Sequence, residues 1–247
     1  MSSKRSTFPW KEFLRSVAVI AIPIALQNLL TTTGSMVDTM MIAPLGELSV
    51  GAVGLCAQFS SLMFSGYWGF MGGGMLFFAQ YYGAKDDDGV NRAYGMTLLC
   101  MMADAVLFAA LALFFPEFVM RVYTDKPAIQ EIGVQYLRMV GFAYPLQVYA
   151  MAMSSLLRTT DRVRIPLYGA IASVATNVVL NWLLIFGRFG LPAMGIQGAA
   201  LATVCAAAVN VLVILLLGKI QKHPYLFRFS KNFVWPKAFV AEYFHKC

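Results

Sequence analysis

Charged side chains are scarce in this sequence. Asp, Glu, Lys and Arg make up 13% of its 247 residues, hydrophobic residues make up 59%, and the mean hydropathy is +0.67. A soluble domain of this length has no need for so much apolar surface, whereas a multi-pass membrane protein, apolar outside as well as inside, does. Grouped metal ligands are lacking too. Cys56, Cys100, Cys205 and Cys247 are widely spaced, three of them inside apolar runs, with no CxxC or Cys/His grouping. That pattern supports neither a zinc site nor a disulfide framework, and suits thiols acting as small apolar side chains. Both histidines, His223 and His245, lie in the C-terminal tail, and there is no HExxH. The apolar runs therefore offer no Ser/His pair, and an enzyme is not expected. No small-residue cleavage site closes the first apolar run, which is also too long for a cleavable signal. A net charge of +7 raises the question of nucleic acid, but no basic stripe or aromatic platform is present, so no nucleic-acid partner is expected.

The apolar runs divide the chain into an all-α, six-helix membrane bundle. Spans are expected at about residues 14–42, 52–82, 93–115, 134–157, 166–187 and 196–217, each long enough to cross a ~30 Å hydrocarbon core. Residues 1–13 read as a polar N-terminal tail and 219–247 as a basic, aromatic interfacial or linker segment. GAKDDDGVNR and EFVMRVYTDKPAIQEIG read as connectors, the first with Asp86, Asp87 and Asp88 solvated. The second apolar run is dense in glycine (Gly66, Gly69, Gly72, Gly73, Gly74), which permits close helix contact. Counting Lys and Arg by side, with Arg138 set aside, puts fifteen with the termini and three (Arg121, Lys126, Arg188) opposite. The positive-inside rule then places both termini in the cytoplasm, in a plasma (inner) membrane with lipid as the surrounding partner.

The first span carries the most informative pattern. Gln27, Thr31, Ser35 and Asp38 fall at helical spacing on one face, below Pro23 deep in the same run. Such a stripe cannot face lipid and must face protein or water, lining a cavity. Counting ~1.5 Å per residue from the helix ends, Asp38 lies about 6 Å below the outer surface and Asn181 about 9 Å. Asn177 is one turn deeper and Thr203 is at a similar depth, so four polar side chains from three helices share one layer. Ser173, Asn177 and Asn181 share one helix face. Two readings of the asparagines stand: hydrogen bonds to neighbouring helices, or ligands of an ion. A carboxylate, amide oxygens and a hydroxyl are hard ligands that suit Na⁺, and a desolvated carboxylate can equally carry a proton. Asp104, alone in the third span, is either a cavity-lining functional group or a satisfied structural one. The methionine-rich runs either fill packing gaps or line a pliable cavity.

At this point the residues resemble a family. PIALQNLL with SMVDTMMI and PLGELSVGAVGL resembles the first helix and loop of the multidrug and toxic compound extrusion (MATE) transporters. FFAQYYGAKD, LLRTTDRVRIP, NVVLNWLLIFG and MGIQGAALATV are similar to later parts of the same fold, in the same order. The resemblance implies a secondary antiporter that expels cationic or amphipathic compounds in exchange for H⁺ or Na⁺, with no cofactor. It implies that Asp38 is the first-helix carboxylate, Pro23 a bend-forming proline, and Asn177, Asn181 and Thr203 cation-site positions. Some members carry a second carboxylate where this chain has Asn181, which leaves Asp38 as the only charge. The family has twelve helices in two lobes, so the chain is expected to be an N-terminal lobe, truncated or partial, needing a C-terminal lobe or a second copy. A flippase for lipid-linked or polysaccharide substrates would need a basic cavity, for which only Arg138 offers itself. A non-transporting membrane fragment is the remaining alternative.

Overall fold

The computed structural model describes residues 10–190, 192–227, 235, 239, 240 and 243. The described chain is helical, in eight helices. Helix α1 (Trp10–Ile42) runs through Pro23 without ending there. A proline has no N–H to give, so the carbonyl of Val19 loses its partner and the helix is weakened at that turn. A short 3-10 turn, Ala43–Leu45, and Gly46 at φ 100° lead into α2 (Glu47–Gly83). Helices α3 (Asp87–Phe114), α4 (Pro116–Tyr123), α5 (Pro127–Val140) and α6 (Ala143–Thr159) follow, and α7 (Arg164–Phe186) and α8 (Ile196–Ile220) complete the bundle.

Five stretches, those of α1, α2, α3, α7 and α8, are long and apolar enough to cross a membrane. The sixth is broken. Helices α5 and α6 pass the same test only together, and they are bent by 51° at Gly141 and Phe142. The continuous span expected at 134–157 is therefore two helices. The connector expected at 116–133 is also helical, because Pro116 and Pro127 each sit in a first turn where their missing N–H costs nothing. Helix α4 buries one face, with Val119 and Met120, and exposes Glu117 and Arg121 together with the apolar Phe118 and Val122. The acidic run is likewise no free loop. Asp86 caps α3 by accepting from the Gly89 amide at 2.9 Å, and Asp87 and Asp88 occupy its first turn, where the helix dipole favours anions.

The core lies between α2, α3, α5 and α6, filled by Phe77, Phe78, Tyr94, Met101, Met120 and Met153. Of the methionine runs, Met101 and Met153 fill the interior, whereas Met40 is exposed and Met151 borders a cavity. Helices α7 and α8 meet at backbone distance: a Cβ on Gly198 would stand 2.8 Å from the Leu184 carbonyl. Gly187, at φ 63°, closes α7 in the left-handed conformation that glycine adopts without strain. Helix α1 packs chiefly on α7, where Gly34 meets Val174, and leaves its other faces open. Cys56 and Cys205 are free thiols, and Cys247 lies outside the described residues. The described part of the C-terminal segment packs against the α2–α3 pair. Tyr225 donates to Asp87 at 2.7 Å, Trp235 to the Arg92 carbonyl at 3.1 Å, and Tyr243 stacks on Phe77.

Candidate functional site

Because α1 touches the bundle along one side only, a cleft opens between it and helices α2, α6, α7 and α8. The part nearer the C-terminal end of α1, about 230 Å³, is lined by Ser35, Asp38, Gln147, Ser173, Asn177 and Thr203 among others. The other part, about 540 Å³, extends to Gln27, Phe64, Trp68, Ser154 and Arg158. Thr31, Gln147, Ser173 and Asn210 line both, so the two are continuous.

Three of the four residues placed in one layer by sequence are joined by hydrogen bonds. The amide of Asn181 donates to Asp38 Oδ1 at 2.5 Å and to Asn177 Oδ1 at 3.2 Å. This side chain is fully buried, its own Oδ1 has no partner, and it fixes Asp38 of α1 against α7. An unpaired buried amide oxygen is costly and accepts from any donor or cation that enters. Thr203 lines the same wall, but its hydroxyl donates to the Ala199 carbonyl of its own helix at 3.0 Å. Asp38, Asn177 and Thr203 together thus offer hard oxygen atoms to one small volume.

The rest of the stripe divides. Gln27 Oε1 accepts from Arg158 Nη2 at 2.8 Å, while Thr31 and Ser35 turn their hydroxyls onto carbonyls of α1 at 2.9 and 2.8 Å. All three border the cleft. Pro23 lies on α1 outside both cleft linings. Asp104 is elsewhere, on α3 against the notch that Gly66 leaves in α2, with one buried oxygen unpartnered. Four further residues face the site. Gln147 on α6 and Asn210 on α8 line the cleft, Tyr136 on α5 approaches Asp38 and Thr203, and Arg158 folds back from the end of α6. Two-turn spacing, Gln147 with Ser154 and Arg158 on α6 and Thr203 with Asn210 on α8, is the sequence signal for the first two. Arg138 is not a cleft residue: it pairs with Glu117 at 2.5 Å on an exposed surface of α4 and α5.

Comparison with known proteins agrees with this architecture. The chain is 29% identical to the probable multidrug resistance protein YoeA of Bacillus subtilis, over 86% of this chain and 46% of that protein. It is 27% identical to the probable multidrug resistance protein NorM of Rhizobium meliloti, over 90% of this chain and 47% of that protein. The chain spans about half the length of the curated relatives it matches. A MOP superfamily transporter from Pyrococcus furiosus superposes with a TM-score of 0.79 at 19% identity, over 92% of this chain and 49% of that one, a likeness of fold. The MatE family model matches residues 23–183, from Pro23 through both site asparagines. The chain therefore belongs to the MatE family.

Proposed function

We propose that this chain forms one lobe of a secondary multidrug antiporter, expelling cationic or amphipathic compounds in exchange for H⁺ or Na⁺. It sits in the plasma membrane with both termini cytoplasmic, and a facing lobe or a second copy completes the drug path. The observation that carries this reading is the bond from Asn181 to Asp38, which ties a loosely held helix to the bundle through its only site carboxylate. A proton or Na⁺ on Asp38 competes with that bond and can be met by Asn177 Oδ1 or Asn181 Oδ1. Releasing the bond lets the outer half of α1 move about the weakened turn at Pro23, which reshapes the cleft. Ion binding drives such a change only if affinity differs between the two shapes.

The test is the thermal stability of the chain in detergent as Na⁺ is raised against a choline control, and as pH is lowered. A ligand that binds the folded state alone raises stability saturably, by about 2.7 kcal/mol at a hundredfold excess over Kd. The expected result is a saturable shift with one of the two ions that Asp38→Asn abolishes. A shift that survives in Asp38→Asn, or no shift with either ion, overturns the reading.

A further inference from the structure

The cleft has a second charged end, of opposite sign. Arg158 reaches into it from the last turn of α6, and Nη2 donates to Gln27 Oε1 at 2.8 Å. Its Nε is buried without a partner. Arg92 and Arg138 each have a carboxylate, Asp86 at 3.6 Å and Glu117 at 2.5 Å, but Arg158 has none among the described residues. Nor does any Asp or Glu line the 540 Å³ part of the cleft. A half-buried guanidinium without a counter-charge is unfavourable, and its free N–H groups match two oxygens of a carboxylate or phosphate.

The surroundings define the rest of the ligand. Phe64, Tyr67, Trp68 and Met151 supply an apolar and aromatic wall, and Asn28 and Asn210 supply amide groups. Gln27 and Asp38 stand roughly 16 Å apart along α1, so cation and anion occupy opposite ends of one channel. We propose that Arg158 is an oxyanion subsite, taking the carboxylate or phosphate of an amphiphile whose apolar body lies against Phe64, Tyr67 and Trp68. This rests on reading the cleft as the path of a transported compound, and it extends the ligand class from cations to molecules bearing an oxyanion. The source is either a soluble compound or a lipid headgroup.

Titration calorimetry on the 247-residue chain in dodecyl maltoside and phosphate-free buffer tests it, with 2-naphthoate, the neutral isostere 2-naphthamide, and short-chain phosphatidylglycerol as probes. At least one oxyanion probe binds about tenfold or more tighter than the amide, as a charge-assisted pair requires. Arg158→Gln removes that preference, and Arg158→Lys restores part of it. Naphthoate binding that phosphatidylglycerol cannot displace identifies a soluble ligand; displacement, or binding of the lipid alone, identifies a headgroup. Either source supports the subsite. Equal binding of naphthoate and naphthamide by the unaltered chain, with no preferential binding of the lipid, overturns it even if Arg158→Gln fails to fold. The readout is equilibrium binding without an ion gradient, so failure of ion coupling at Asp38 leaves it standing.

Discussion

Asn181 and Asp38 lie 143 residues apart in the chain, yet the amide of one donates to the carboxylate of the other at 2.5 Å. One side-chain bond thus joins α1 to α7 at the depth of the site. Removing Asn181 leaves Asp38 without its donor. Interhelical hydrogen bonds in membranes are worth about 0.6 to 2 kcal/mol, so Asn181→Ala should destabilise the lobe by about 1 kcal/mol. In a double-mutant cycle with Asp38→Ala, measured by unfolding in SDS, the two losses should fail to add. Additive losses would show that the bond contributes nothing.

The α7–α8 contact makes a second prediction. A Cβ at Gly198 would meet the backbone of Leu184, which cannot swing aside as a flexible side chain can. Gly198→Ala should cost about 1–3 kcal/mol through overpacking, despite the better helix propensity of alanine. Gly69, on α2, has nothing within 4 Å of its Cβ position, so Gly69→Ala should be neutral or stabilising by up to about 1 kcal/mol. Denaturation of the two variants side by side separates packing from propensity.

Five of the expected spans, their order and the nearness of Asp38, Asn177 and Asn181 were legible in the sequence. They rest on long apolar runs and on helical spacing, both local properties. What was not legible depends on where the chain bends. The break at Gly141 and Phe142 is marked only by Gly141 and by Pro145 just beyond it, inside a run otherwise long enough to read as one span, and α4 is too short to stand out between Pro116 and the polar residues that follow it. Arg158 reads as part of a basic turn, RTTDRVRIP, and nothing local says that its side chain folds back to Gln27. Gln147 shares a helix face with Ser154 and Arg158, and Asn210 with Thr203, but at two-turn spacing the pattern is sparser than the α1 stripe.

Outside the spans, His223 supplies a pH dependence. It is buried, its Nε2 lies 3.0 Å from Thr160 Oγ1, and burial, with Arg162 nearby, pushes its pKa down from 6.5 to about 4. The folded state therefore prefers the neutral ring, and the unfolded chain binds more protons between those two values. Stability from this anchor is complete above about pH 6.5 and is lost as pH falls toward about 4. Thermal denaturation across that window should show the loss, and His223→Gln, which keeps a hydrogen-bonding group but does not titrate, should flatten it. An unchanged slope in that variant would assign the dependence elsewhere.

The central claim is that Asp38 accepts the coupling ion. The most direct measurement is efflux of a fluorescent lipophilic cation from vesicles carrying this lobe in a transport-competent assembly, under an imposed H⁺ or Na⁺ gradient. Asp38→Asn keeps the size and the hydrogen-bonding reach of the side chain but removes its charge. The account predicts that gradient-driven efflux is lost in this variant while the protein remains folded and inserted. Efflux at the unaltered rate from Asp38→Asn would contradict it.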